Sequence, residues 1–214
     1  MVTQIVIPRV IELVLEELRG GRRDLPSNVI TVTELSRCPW YTYYIYHRAT
    51  PDEVINEALI NGKVMHILVE KVVDKLKSLS GLDLSDLESE VVFEKQYNEY
   101  TIVGRVDLLT RDEVVEFKFT RNETKLYRLN MWYINQVQLY MWLSGKRRAK
   151  LVVIHLPTFK YNVWSIKYNE DIINERLSLI KEVEKAIMGI EPVKERRNCE
   201  FCFIRNRCVH VTLF

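Results

Sequence analysis

The sequence predicts a mixed α/β fold, a central sheet flanked by helices. Three observations carry this. Three runs rich in β-branched and apolar residues crowd together at about 90–98, 101–109 and 113–120, and short polar links separate them. Helical periodicity brackets them, from Pro51 to about Leu79 before and from about Glu123 to Leu143 after. A further strand pair, about 149–156 and 161–168, then leads into a last helix from Asp171 to Met188. Helices, three strands, a helix, two strands and a helix make a layered α/β domain.

The elements follow in chain order. Residues 8–19 read as an amphipathic helix with Pro8 in the first turn and Gly20-Gly21 closing it. In TVTELSRC, Thr33 is placed to cap a short helix. CPWYTYYIYHRA follows, dense in tyrosine. The long helix from Pro51 ends at a Ser-Leu-Ser-Gly break. Thr110 to Glu113 is polar and reads as a hairpin turn. Ser144-Gly145 stops the helix after the third strand. Three stretches divide the chain: an N-terminal helical segment, 1–50, a core, 51–190, and a cysteine-rich tail, 191–214.

Composition bounds the class. The chain has 214 residues, 47% hydrophobic and 28% charged, which excludes a disordered chain. With 31 basic and 29 acidic residues the net charge is +2, so a nucleic-acid footprint must be local. Two basic stretches, Gly145 to Lys150 and Lys194 to Cys208, are candidates for such a footprint or for ordinary solvated surface. No apolar run is long enough to span a bilayer, and the N-terminus lacks a basic leader with a cleavage site. The expectation is a cytoplasmic protein with no membrane partner.

The third strand, VVEFKFT, raises a chemical question. With period two, Val115, Phe117 and Phe119 share one face, and Val114, Glu116 and Lys118 the other. If Leu109 pairs with Val114 across the turn, Asp107 falls opposite Glu116. Opposed carboxylates repel unless one is protonated or a cation lies between them. A divalent metal with oxygen ligands meets that need. Gly104 in the preceding strand suggests a bulge or the close approach of another backbone.

Other residues carry weaker signals singly. His66 shares a helix face with Leu59, Gly62, Val69 and Val73, either as a packed histidine or as a site residue. Gly62, four residues before it, would let another backbone approach. His47, His155 and His210 read as structural or surface residues. Gln136 and Tyr140 lie four apart on one helix face, as a polar edge or a paired function. Cys199, Cys202 and Cys208 form C-x2-C-x5-C, a metal-ligand spacing that Cys38 would complete to four thiolates. Spacing alone leaves zinc and an iron–sulfur cluster both open. Trp40, Tyr41, Tyr43 and Tyr44 fit a hydrophobic shell around that site or stacking on unpaired bases.

Taken in order, G-x3-H, G-x-x-D, E-x-K and Q-x3-Y resemble the RecB-like branch of the PD-(D/E)xK nuclease superfamily. LSRCPWYTYY and the one-plus-three cysteine arrangement sharpen the match. From about Val29 to Cys208 the chain resembles the CRISPR-associated RecB-like exonucleases with a four-cysteine iron–sulfur cluster. The resemblance implies a PD-(D/E)xK nuclease core with the cluster joining the N-terminal segment to the tail. It implies that Asp107, Glu116, His66 and the carbonyl of Phe117 hold Mg²⁺ or Mn²⁺. Lys118 would activate the attacking water, and Gln136 and Tyr140 would orient water or phosphate. Cys38, Cys199, Cys202 and Cys208 would ligate a [4Fe-4S] or [2Fe-2S] cluster. The implied activity is exonucleolytic cleavage of single-stranded DNA from 5′ ends. The implied role is processing DNA ends in CRISPR spacer acquisition, beside integrase proteins, with a homo-oligomer left open. A non-catalytic iron–sulfur adaptor and a zinc-stabilised domain of other function are the competing readings.

Overall fold

Strand formation here follows the alternation of β-branched and polar residues, and the helices follow from buried apolar faces packed over the sheet. The computed structural model describes residues 25–49, 57–78 and 86–193, with residues 202, 204 and 208 of the tail. The expected helix at 8–19, the Pro51 start and the Ser-Leu-Ser-Gly break lie outside or at the edge of the described residues.

The elements are β1 (Val29–Thr31), α1 (Val32–Ser36), α2 (Pro39–His47) and α3 (Glu57–Lys77), then β2 (Glu88–Tyr97), β3 (Tyr100–Leu109) and β4 (Glu113–Thr120). A 3-10 turn (Glu123–Tyr127) precedes α4 (Met131–Ser144), β5 (Arg148–His155), β6 (Tyr161–Lys167), α5 (Glu170–Ser178) and α6 (Ile180–Ile187). Among the described residues no helix is long and apolar enough to cross a membrane.

The sheet runs β1-β3-β4-β5-β6, with β2 along the remaining side of β3. The β1–β3 and β4–β5 pairs are parallel, the rest antiparallel. β1 is too short for periodicity to reveal. It brings residues before 50 into the sheet, and Ile30, Val32 and Leu35 are fully buried in the core. α4 is the central helix, burying Val137, Leu139 and Met141 completely. Its buried Gln138 donates to the Lys167 carbonyl and accepts from the Asn169 N–H, so a polar group in the core is satisfied at both ends.

Four local expectations change. The cap of α1 is Thr31, not Thr33: Thr31 stands three before Glu34, and each side chain takes the other's backbone N–H. The helix expected from Glu123 to Leu143 is two pieces, because Asn122 caps the 3-10 turn, Arg128 is extended, and Asn130 caps α4 anew. The last helix breaks at Leu179 into α5 and α6. Gly104 sits in regular pairing with Phe93, with no bulge there. The atoms that come nearest to it belong to side chains of α1 and α4, not to another backbone.

The capping box gives a direct test. Thr31→Ala removes one acceptor and is expected to cost about 1 kcal/mol in urea unfolding. Thr31→Ser should retain most of it.

Candidate metal and active site

β3 and β4 begin as a hairpin and then part. Leu109 pairs with Val114 and Leu108 with Val115, as the turn predicts, and the ladder stops there. β4 turns instead to pair along its whole length with β5. Asp107 and Glu116 are therefore not a ladder pair, which corrects the direct opposition expected. A regular pair would hold two like charges face to face, the arrangement that sheets avoid. At the fork the Asp107 side chain takes the place of a backbone acceptor: its Oδ2 receives the Phe117 N–H at 2.7 Å.

The fork gathers the predicted residues. α3 packs over β4 and β2 and brings His66, whose Nδ1 lies 3.2 Å from Asp107 Oδ1. The Phe119 ring meets the His66 ring edge-on at 5.5 Å and fixes its orientation. Glu116 is 1% exposed, and its Oε1 accepts a hydrogen bond from Lys118 Nζ. On α4, Gln136 Nε2 donates to the Tyr140 hydroxyl at 2.9 Å. The Tyr140 ring rests on Gly104.

Electrostatics separates the two carboxylates. Burial pushes Glu116 up to about 8; Lys118 opposes this and Asp107 adds to it. Asp107 is buried as well, but its hydrogen bond to His66, the Lys118 charge and the Phe117 N–H together hold it below its ordinary value. Burial works against a charged Lys118, yet Glu116 and Asp107 outweigh it and raise the lysine further. Burial and the Glu116 charge raise Tyr140 well above 10, so it stays a neutral donor.

Glu90 is the residue that sequence reasoning missed. Its neighbours pair regularly, Ser89 with Leu108 and Val91 with Val106, but Glu90 itself is unpaired in the ladder and has φ of +54°. That left-handed turn places its carboxylate beside Arg105, at 2.7 Å, and within reach of the fork. One ligand atom each of His66, Glu90 and Asp107 lie within 4.8 Å of one another. In the sequence Glu90 looks like any charge at a strand start. Only its place opposite Asp107 in the hairpin could have flagged it.

A divalent metal fits these residues. Glu116 Oε2 is buried and receives no hydrogen bond from a donor group; the Asp107 carboxyl is the polar group within its reach. A buried carboxylate oxygen without a proton donor is the atom a cation would satisfy. The carboxylate oxygens suit Mg²⁺ and Mn²⁺, and the one imidazole is a ligand that transition metals accept more readily than Mg²⁺.

The other sequence-predicted residues go elsewhere. His47 donates to the Ala186 carbonyl at 3.0 Å, and His155 bridges Thr158 and the Arg121 carbonyl, so both are structural. His210 lies outside the described residues. In the Gly145–Lys150 stretch, Lys146 donates to the Arg111 carbonyl, Arg147 lies over Tyr168, and Arg148 pairs with Asp112 and Glu113. It behaves as ordinary surface. Trp40 and Tyr43 are buried against Ala186 of α6 with Cys38 beside them, while Tyr41 turns the other way, toward Arg37 and Trp132. Among the described residues Cys38, Cys202 and Cys208 form no metal-ligand group, and Cys199 lies outside them.

The chain resembles several solved structures. "Crystal structure of SSO0001" shares 24% identity over 98% of this chain and 97% of that one, with a TM-score of 0.63. An alkaline exonuclease, LHK-Exo from Laribacter hongkongensis, shares 14% identity over 80% and 92%, with a TM-score of 0.53. A putative exonuclease from Eubacterium rectale shares 13% over 85% and 88%, at 0.50. These likenesses concern the fold. No curated relative matches by sequence. The PD-(D/E)XK nuclease superfamily model matches residues 44–209, a span that holds His66, Asp107, Glu116 and Lys118, and the chain belongs to that superfamily.

Proposed function

We propose that this protein is a metal-dependent exodeoxyribonuclease that acts on single-stranded DNA, 5′ to 3′. The carrying observation is the buried Glu116, one oxygen bonded to Lys118 and the other receiving no hydrogen bond from a donor group, beside Asp107 and His66. Nucleases of this superfamily use divalent metal ions. Asp107, Glu116, His66 and the Phe117 carbonyl would hold one here, and Glu90 adds a further carboxylate. When bound, the cation supplies Lewis acidity toward the scissile phosphate and the attacking water. The chain's own groups do the rest. Glu116 holds the Lys118 ammonium in place, where it can orient water and offset charge growing on the phosphate. Neutral Tyr140, steered by Gln136, donates a hydrogen bond to phosphate or water. Asp107 keeps the His66 ring in register with the fork. Two of the structural neighbours are described as exonucleases, in agreement with this reading.

The sequence resemblance supports the finer assignment: end processing in CRISPR spacer acquisition beside integrase proteins, with Cys38, Cys199, Cys202 and Cys208 holding an iron–sulfur cluster. Cys202 lies near enough to Tyr41, in the first turn of α2, to add to the upward shift that burial gives its hydroxyl.

Digestion of end-labelled DNA tests the activity. Single strands should shorten with Mn²⁺ or Mg²⁺ and stay intact in EDTA. A 5′ block should slow digestion far more than a 3′ block. Cutting of circular single strands as the main activity would overturn the exonuclease reading. Iron and sulfide in anaerobically purified protein test the cluster; zinc without iron would overturn it.

A further inference from the structure

A cavity of about 570 Å³ opens at the active site, and His66 and Lys118 form part of its wall. We propose that it is the track for one unpaired DNA strand, with Arg37, packed against Tyr41 and Trp132, as its clamp. The proposal rests on the nuclease reading and names how that site would hold its substrate.

Charge is the first argument. The chain carries a net +2, yet among the described residues this wall gathers Arg37, Lys63, Lys125 and Arg128, with Lys118 paired to Glu116 behind it, against one carboxylate, Glu34. That carboxylate is already engaged: Oε2 accepts the Thr31 N–H at 2.7 Å and Oε1 accepts the Tyr46 hydroxyl at 2.6 Å. The local field therefore favours a phosphodiester chain.

Geometry is the second. The Arg37 guanidinium lies 4.3 Å from the centroid of Tyr41 and 5.2 Å from that of Trp132, and the two rings are 5.7 Å apart. The two rings are tilted 57° to one another, and packing against both, with a hydrogen bond to Tyr41, restricts the Arg37 N–H edge, which suits two oxygens of a phosphate. Trp132 is buried and serves as backing, while Arg37 and the half-buried Tyr41 ring can accept any base face, which gives binding without sequence preference. Gly62 lines the cavity, and among the described residues outside its own helix a Cβ there would meet nothing within 4 Å, so open space lies beside it. This corrects the backbone contact expected of that glycine. The cavity's volume lies within the roughly 300–1,000 Å³ of ligand pockets, and stacking of a base on Arg37 or Tyr41 requires that the base be unpaired.

Binding of a labelled 20-nucleotide strand, measured by fluorescence anisotropy in EDTA, tests the track apart from hydrolysis. Arg37→Ala should weaken binding about tenfold or more, since one lost stacking contact is worth ~1–3 kcal/mol. Arg37→Lys should fall between, and the salt slope of Arg37→Ala should drop by about 0.7. Lys125→Glu, on the exposed 3-10 turn, gives a second variant should Arg37→Ala fold poorly. Lys160→Ala, outside the cavity, should bind like wild type. Binding of Arg37→Ala and Lys125→Glu within twofold of wild type would overturn the proposal. So would a duplex bound as tightly as the DNA strand. Mn²⁺-dependent hydrolysis of bis(p-nitrophenyl) phosphate by wild type judges the nuclease reading separately. Its absence, with Arg37-dependent strand binding intact, would refute catalysis and support the track.

Discussion

Glu116→Gln is expected to abolish DNA cleavage and, in EDTA, to raise the melting temperature at alkaline pH. The two effects share one cause. Glu116 is a buried carboxylate whose protonation burial favours, from the ordinary 4.5 up to about 8. A carboxyl raised in the folded state contributes stability that is fully present below its unfolded value. That contribution is lost as pH rises through the folded value. The metal-free wild type should thus weaken from about pH 5 to beyond pH 8. Glutamine resembles the protonated form and should not follow, so the gap in melting temperature between variant and wild type should widen with pH. Catalysis moves the other way, because glutamine cannot supply the anionic oxygens a divalent ion needs. Removing one such electrostatic contributor costs on the order of 10²–10³-fold in rate, and the same loss is expected for Asp107→Asn and Lys118→Ala. Melting curves from pH 5 to 9, beside digestion rates, check both effects. A variant that melts lower than wild type at pH 9 would remove the case for a destabilising buried charge.

Gly104→Val should be the most damaging single change remote from the carboxylates. A Cβ at Gly104 would lie 2.7 Å from Val32 Cγ2 and 2.9 Å from both Leu143 Cδ1 and Tyr140 Cε1. No real Cβ tolerates such contacts, so α1, α4 or the strand must shift. Alanine asks for one methyl group, and relief of glycine's own cost in a strand, roughly 0.5–1 kcal/mol, returns part of the penalty. Valine adds two more branches and sits at or above the top of the range for overpacked cores, about 3 kcal/mol. For a chain of this size that is a fall in melting temperature of roughly 6–12 °C. Tyr140 is one of the displaced groups, so activity below the melting range should fall with it, as in Tyr140→Phe. A Gly104→Val protein with normal turnover would separate Tyr140 from the reaction.

The sequence alone determined the chemistry on offer and much of its local setting. E-x-K in a strand puts Glu116 and Lys118 on one side because side chains alternate, and the two do meet. The Thr110–Glu113 turn set the start of the β3–β4 register as read, and Q-x3-Y set the Gln136–Tyr140 contact through helical spacing. These are local facts, decided by backbone geometry over a few residues.

Tertiary structure decided what depends on distance between elements. Pairing with β5 draws β4 away from β3, so Asp107 reaches Phe117 and not a ladder partner. The left-handed residue in β2 brings Glu90 to His66 and Asp107, which no spacing within β2 announces. The packing of α2 between α6 and the start of α4 splits the aromatic run, sending Trp40 and Tyr43 to the core and Tyr41 to the cavity. Periodicity states which residues share a face. Which face meets which neighbour is settled by packing the elements against one another, and that is non-local.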